Sequence, residues 1–110
     1  MTNYLSNPAP VFGALSDPTR CAVVQRLTLG PAAVGTLAEP FDLALPTFLR
    51  HLKVLERAGL VTTHKQGRSR ICQLQPDRLA EIEAWLRDTR ALWEQRLDNL
   101  ERYLEEGDTP

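Results

Sequence analysis

The chain has 110 residues, a hydrophobic content of 43% and a formal net charge of −1, which together suit one domain over residues 1–110. A net charge this close to zero excludes a protein that binds polyanions over its whole surface. Cys21 and Cys72 are too few and too far apart for a disulfide framework or a cysteine cluster. Since no apolar run approaches the ~20 residues of a membrane span and no secretion leader is recognisable, we expect a cytoplasmic protein that binds no membrane.

Positive charge is concentrated in the middle of the chain. Residues 47–75 contain six Lys/Arg and one acid, Glu56, whereas residues 76–110 contain five Lys/Arg and ten Asp/Glu. The middle segment can therefore attract a phosphate backbone, and the acidic C-terminal segment would repel one.

The first elements are two helices with clear start and stop signals. Residues 8–15 can form a short helix. Ser16-Asp17-Pro18 then offers a capping oxygen followed by a proline, a combination typical of a helix start. This second helix is predicted to run to about Leu29, where Gly30-Pro31 stops it.

A helix-turn-helix follows over about residues 34–58. Residues 33–39 predict a short amphipathic helix or turn, and the next helix opens at Ala44 or Leu45. Gly59 ends that helix in a left-handed cap position.

A β-hairpin is predicted over about residues 61–74. Two short strand-like runs flank a basic loop at residues 65–70, with Gly67 at its tip. Such a loop has no role in a core, so beside a helix-turn-helix it favours DNA binding. A solvated turn that keeps the sheet edge soluble is the alternative.

The last predicted element is a long helix over about residues 76–106. Its apolar residues recur in steps of three and four, a near-heptad stripe. A helix of this length is roughly 40–45 Å long, so part of the stripe needs apolar cover from outside the protomer. A two-fold partner is the simplest source.

Several segments together resemble the arsenical-resistance-repressor (ArsR) family of bacterial transcriptional regulators. They are Ala14-Leu15-Ser16-Asp17-Pro18-Thr19-Arg20, residues 34–41 (VGTLAEPF), Pro46-Thr47-Phe48, and residues 51–61 (HLKVLERAGLV). The resemblance extends from about Phe12 to Leu104. It implies a mainly α (α+β) fold: a winged helix-turn-helix with a two-stranded β-wing and a long C-terminal dimerisation helix.

The resemblance also implies double-stranded DNA and a second copy of the chain as partners. The implied function is that of a homodimeric, sequence-specific repressor that binds an inverted-repeat operator. The DNA-binding residues predicted on this basis are Leu45, Pro46, Thr47, Leu49, Arg50, His51 and Lys53 on the recognition helix, and Lys65, Arg68, Ser69 and Arg70 on the wing. The predicted dimer interface comprises Phe12, Leu79, Ile82, Trp85, Leu86, Trp93, Leu97, Leu100 and Leu104.

The recognition helix departs from the commoner family pattern. Many relatives carry Ser or Gln where this chain has Ala44, Leu45 and Leu49. The helix thus lacks a side-chain cap and offers few hydrogen bonds to bases. Leu45 and Leu49 can instead touch thymine methyl groups, and Arg50 can pair with guanine. Thr47 is the other predicted base or phosphate contact.

We expect no metal and no cofactor. Metal-sensing relatives carry a Cys-x-Cys motif at residues 33–35, which here are Ala-Val-Gly, and no histidine follows Pro76. The chain therefore resembles a branch of the family without that motif.

No enzyme motif is recognisable. Two alternatives to a simple repressor stay open. One is a redox sensor at Cys21, or a small-ligand sensor at the dimer interface near Trp85 and Trp93. The other is a protein-interaction module that docks a partner on its acidic last helix without binding DNA. The sequence does not identify an effector.

Overall fold

The structure is a computed structural model that describes residues 7–107. The predicted domain over residues 1–110 extends beyond this range at both ends. The described elements, in chain order, are α1 (Ala9–Leu15), α2 (Pro18–Leu27), β1 (Ala32–Ala33), α3 (Val34–Ala38), α4 (Leu45–Arg57), β2 (Val61–Gln66), β3 (Ser69–Leu74) and α5 (Pro76–Gly107).

The predicted start of α2 is confirmed. Asp17 lies in an extended conformation, and its Oδ2 accepts hydrogen bonds from the N–H groups of Thr19 at 2.8 Å and Arg20 at 3.2 Å. Pro18 occupies the first helical position, where a missing N–H costs nothing. This cap fixes the corner between α1 and α2.

The Asp17 cap makes stability sensitive to acid. The hydrogen bond from the Arg20 N–H is the main cause that lowers the pKa of this carboxyl below its ordinary value of 3.8. A lowered folded-state pKa means that the stabilisation is fully present above that ordinary value and is lost as the pH falls through the folded-state pKa. We expect Asp17→Ala to lower Tm at neutral pH and to flatten the fall of Tm on the acid side.

Asp17→Asn is the matched control for this prediction, since asparagine also caps helices but does not titrate. It should keep most of the neutral-pH Tm and lose the part of the acid dependence that the Asp17 carboxyl contributes. Thermal unfolding followed by circular dichroism between pH 7 and pH 3 makes the measurement. An Asp17→Ala protein with the parent Tm at neutral pH would contradict the role of the cap.

A three-stranded antiparallel sheet with the order β1-β3-β2 carries the wing. The sequence predicted only the two strands of the hairpin. The additional strand, β1, pairs Ala32 with Cys72 and Ala33 with Ile71. Because β1 has two residues, it is too short to show the alternation by which strands are predicted. It joins the segment before α3 to the wing.

The wing turn is tighter than predicted. Only Gly67 and Arg68 lie between the strands, and Gly67 has a φ of +64°, a conformation that glycine adopts without strain. The prediction of a loop over residues 65–70 was wrong in its extent, because Lys65 and Arg70 are paired strand residues. Their side chains therefore lie on one face of an ordered hairpin.

The core lies between α1, α2, α3, one face of α4 and the sheet. On α4 the buried residues are Phe48, Leu52 and Leu55, which follow the i, i+4, i+7 spacing of one helix face. Phe48 also stacks on Phe41, with ring centroids 5.7 Å apart. The α4 helix is thus held by the core along its inner side.

The end of α4 is fixed by Gly59 and Arg78. Gly59 has a φ of +82°, and the Arg78 side chain lies 3.5 Å from where a Cβ would be. Arg78 Nε donates a hydrogen bond to the Ala58 carbonyl at 3.1 Å. The first turn of α5 therefore caps the C-terminus of α4.

Only the beginning of α5 packs on the core. Ile82 is 7% exposed and belongs to the core of the protomer, so the structure places it inside rather than on the predicted dimer stripe. From Arg90 to Gly107 every residue is exposed. None of the helices within residues 7–107 has the length and apolar character that crossing a membrane requires.

Candidate nucleic-acid interface

The outer face of α4 is exposed and cationic. Leu45, Leu49, Arg50 and Lys53 are exposed on this helix, whereas Phe48 is buried. The side chains of Arg50 and Lys53 have no hydrogen-bond or ion-pair partner among residues 7–107. Their charges are therefore available to an external anion.

The N-terminus of α4 also points its backbone donors outward without a side-chain cap. Ala44 is the N-cap residue in an extended conformation, and no side chain bonds to the first N–H groups, as predicted. Pro46, in the first turn, has no N–H to satisfy. Uncapped N–H groups at a helix start can donate hydrogen bonds to a phosphate oxygen.

The wing carries like charges directly across from each other. Lys65 pairs in register with Arg70, and Gln66 pairs with Ser69. Like charges opposite each other destabilise a free hairpin. An anion bound between them would remove that repulsion, so the pair favours contact with a phosphate backbone. Arg68 lies in the turn itself.

Hydrogen bonds join the wing to the recognition helix. Arg70 Nε donates to Thr63 Oγ1 at 3.2 Å, and the Thr63 hydroxyl donates to Glu56 Oε2 at 3.1 Å. Thr63, Lys65 and Arg70 share the sheet face that carries the buried Cys72. The one acid in residues 47–75 is therefore engaged by the wing, and the cations of helix and hairpin lie on the same side of the protein.

Two predicted DNA-binding residues are less exposed than the rest of this surface. Thr47 is half-buried at the edge of α4. His51 has a side chain only 19% exposed, with Nδ1 at 3.0 Å from Arg20 Nη1 and 3.8 Å from Asp17 Oδ2. The structure thus places His51 against the corner of α1 and α2 rather than on the outer face.

Sequence reasoning did not single out Arg20, Glu56 or Thr63 as functional. Arg20 stands in the Ser16-to-Arg20 motif, directly after the capping residue, and this position was the available signal. The pairing of Thr63 with Glu56 joins a strand to a helix, so no local spacing reveals it.

The exposed part of α5 presents the predicted apolar stripe. Trp93 is 63% exposed and Leu97 is 56% exposed, and Leu86, Leu100 and Leu104 are similarly uncovered. Near its base, Trp85 packs edge-to-face on Phe12 of α1 with ring centroids 5.7 Å apart. An uncovered stripe of this size on a protein of 110 residues indicates an interaction surface.

Comparison with known proteins agrees with this geometry. The helix-turn-helix domain family matches residues 15–64. HTH-type transcriptional regulator Rv2034 of Mycobacterium tuberculosis is 38% identical over 109 residues, covering 98% of each chain. The crystal structure of an ArsR family transcriptional regulator, RHA00566, superposes with a TM-score of 0.75 at 46% identity, covering 86% of this chain and 95% of the other.

The chain belongs to the ArsR family. Its fold is the family's winged helix-turn-helix, with α4 as the recognition helix and β2–β3 as the wing. The transcriptional repressor SdpR of Bacillus subtilis is 37% identical over 57 residues, which is 52% of this chain and 63% of that one. The chain is a DNA-binding transcriptional regulator.

The thiols of this ArsR-family protein differ in environment. Burial raises the pKa of the Cys72 thiol to about 11, with a smaller contribution from the Glu56 carboxylate. At neutral pH Cys72 is therefore an inert thiol, which disfavours it as a redox sensor. Cys21 is half-buried on α2. Among the described residues, no three His, Cys, Asp or Glu lie together as metal ligands would.

Proposed function

We propose that the protein is a homodimeric repressor that binds an inverted-repeat operator. The proposal rests on one observation. The cations of α4 that have no partner among residues 7–107 lie on the same side of the protein as the like-charged pair of the wing. A helix at this surface fits the major groove, and the hairpin beside it reaches the flanking backbone.

The base contacts are assigned to the outer face of α4. Arg50 pairs with guanine O6 and N7 through its two-pronged guanidinium, and Leu45 and Leu49 contact thymine methyl groups. Pro46 and Thr47 at the helix start contact the adjacent backbone or base edge. His51 lies behind this face, so its contribution to DNA binding is indirect.

The phosphate contacts are assigned to Lys53 on α4 and to Lys65, Arg68, Ser69 and Arg70 on the wing. All four cations are exposed, and all except Arg70 lack an intramolecular partner for the side chain within the described range. Contacts of this kind position the protein on the duplex without reading its sequence.

The dimer is assigned to α1 and α5. Phe12, Leu79, Trp85 and Leu86 form the base of the surface, and Trp93, Leu97, Leu100 and Leu104 continue it along the helix. Self-association covers this stripe with the same stripe of a second copy, as in a two-fold interface. It would hold the recognition helices about one turn of duplex apart, ~34 Å.

Repression follows from occupancy of a promoter. The relative SdpR is a transcriptional repressor, which supports repression and not activation as the effect of this protein on its promoter. Steric exclusion of polymerase needs only a bound dimer. The chain would work as a single winged helix-turn-helix unit in the cytoplasm, where bacterial DNA lies.

The salt dependence of binding tests this account. If each protomer neutralises ~3–4 phosphates, log K for an inverted repeat from the upstream DNA should fall against log[salt] with a slope of roughly −5 to −7. Lys65→Ala should make the slope shallower by about 2, because the dimer carries the change twice. Fluorescence anisotropy over a series of salt concentrations provides the slopes.

Arg26→Ala is the matched control, since Arg26 is an exposed cation on α2 that lines a different cavity from the one between Lys53 and Arg70. Its slope should equal that of the parent protein. A parent slope near −2 would remove the wing from the DNA contacts, and failure to bind any inverted repeat from its own upstream region would refute the proposed operator.

A further inference from the structure

Arg20 joins three helices with one side chain. Its Nε donates to the Ala14 carbonyl at 2.7 Å, its Nη2 donates to the Gly13 carbonyl at 3.5 Å, and its Nη1 lies 3.0 Å from His51 Nδ1. The carbonyls belong to the C-terminal end of α1, Arg20 itself to α2, and His51 to α4. A cation at a helix C-terminus is also favoured by the helix dipole.

The chemistry of the Arg20–His51 contact determines which group donates. A guanidinium has no acceptor, so Nδ1 of His51 accepts and its proton resides on Nε2. Asp17 Oδ2, which caps α2, lies 3.8 Å from the same nitrogen, too far for a hydrogen bond. His51 is therefore held against the α1–α2 corner by Arg20.

This contact lies between the dimer surface and the DNA surface. On one side, α1 carries Phe12, which packs on Trp85 of α5. On the other side, His51 directly follows Arg50, the predicted base contact. A chain of contacts thus runs from the α5 helix through α1 and Arg20 to the middle of the recognition helix.

We propose that Arg20 is a positioning residue for DNA binding. It holds α4 at a fixed angle to α1 and thereby sets the spacing of the two recognition helices in the dimer, without touching DNA. The proposal rests on the proposed function, because spacing has a meaning only for a dimer on two half-sites.

Lysine cannot replace arginine in this role. Its ammonium is a single point charge, whereas the planar guanidinium serves two carbonyls and one imidazole in different directions. Arg20→Lys therefore keeps the positive charge and removes the hydrogen bonds that connect α2 to α1 and α4. Arg26→Lys is the matched control, because Arg26 lies on the same helix, is exposed, and has no side-chain partner among residues 7–107.

The decisive measurement compares three DNA duplexes: the inverted repeat, the same repeat with one base pair inserted between its half-sites, and an isolated half-site. For the parent protein the insertion should be costly, since it rotates one half-site by a tenth of a turn. Arg20→Lys should bind the correct repeat about tenfold more weakly and discriminate less against the insertion, with half-site affinity unchanged. Arg26→Lys should behave as the parent.

Substitutions of His51 identify the partner. His51→Asn keeps an acceptor near the position of Nδ1 and should retain the spacing preference, whereas His51→Leu removes the acceptor and should reproduce the Arg20→Lys result. The double variant Arg20→Lys/His51→Leu should show the same loss of spacing preference as Arg20→Lys alone, since each substitution already removes the contact between Arg20 and His51.

Hydrogen exchange of the DNA-free protein tests whether Arg20 holds α4, independently of any operator. Amides of α4 should exchange faster in Arg20→Lys and at the parent rate in Arg26→Lys, under conditions where both remain fully folded by circular dichroism. If the parent protein binds no inverted repeat, the proposed function fails, and this experiment alone decides whether Arg20 holds α4.

Three results would overturn the positioning role. The first is equal loss of affinity for the repeat and the half-site, which would make Arg20 a DNA contact. The second is an unchanged spacing preference in Arg20→Lys. The third is exchange of the α4 amides at the parent rate.

Discussion

Replacing Leu97 and Leu100 of α5 together by aspartate is expected to convert the protein to a monomer and to weaken operator binding at least about a hundredfold. Both side chains are more than half exposed in the protomer, so the change leaves its core intact. Across two copies, four leucines lose apolar burial worth about 6 kcal/mol or more, which weakens self-association about ten-thousandfold. A monomer engages one half-site and loses the benefit of a linked second one.

The matched control places the same two charges on the opposite side of α5. Gln95→Asp with Asn99→Asp adds two carboxylates at positions off the heptad stripe. Sedimentation velocity should show a dimer for the parent and the control and a monomer for the stripe variant, and anisotropy should show the affinity loss in the stripe variant alone. A stripe variant that remains a dimer would place the interface elsewhere.

Arg50→Ala is expected to weaken binding to the operator by about 1–3 kcal/mol more than binding to random DNA. Arg50 is exposed, has no partner within residues 7–107, and projects from the middle of the outer face of α4. Removing it leaves a buried guanine edge without its donors. Stability should be unaffected, because the side chain contributes nothing to the core.

Lys65→Ala serves as the comparison, since a wing cation that contacts phosphate should lower both affinities alike. Competition titrations of operator and scrambled duplexes at one salt concentration measure the two ratios. An Arg50→Ala protein with equal losses on both duplexes would reassign Arg50 to the backbone and leave sequence reading to the remaining residues of α4.

Most helix boundaries could be predicted because their signals are local. The Asp17 cap, the prolines at helix starts, Gly59 at the end of the recognition helix and Gly67 in the wing turn each act through the conformation of a few neighbouring residues. The spacing of Phe48, Leu52 and Leu55 likewise reports one buried helix face. Such features depend only on residues that are close together in the sequence.

The parts that could not be predicted depend on residues far apart in the chain. The β1 strand forms because Ala32 and Ala33 meet β3 some forty positions later. Ile82 belongs to the apolar periodicity of α5, yet it is buried by the core because the helix packs there only at its start. Periodicity identifies an apolar face but not which part of it the same protomer covers.

The proposed DNA-binding surface shows the same division. The excess of positive charge in residues 47–75 is a property of the sequence. So is the near-zero net charge, which excludes a protein that binds polyanions over its whole surface. Only the tertiary structure shows that His51 contacts Arg20 instead of lying on the outer face of α4. Only the tertiary structure shows the hydrogen bonds that link Arg70 through Thr63 to Glu56. The physical reason is that short-range conformational preferences determine the elements, whereas hydrogen bonds between elements exist only after packing brings distant side chains within about 3 Å of each other.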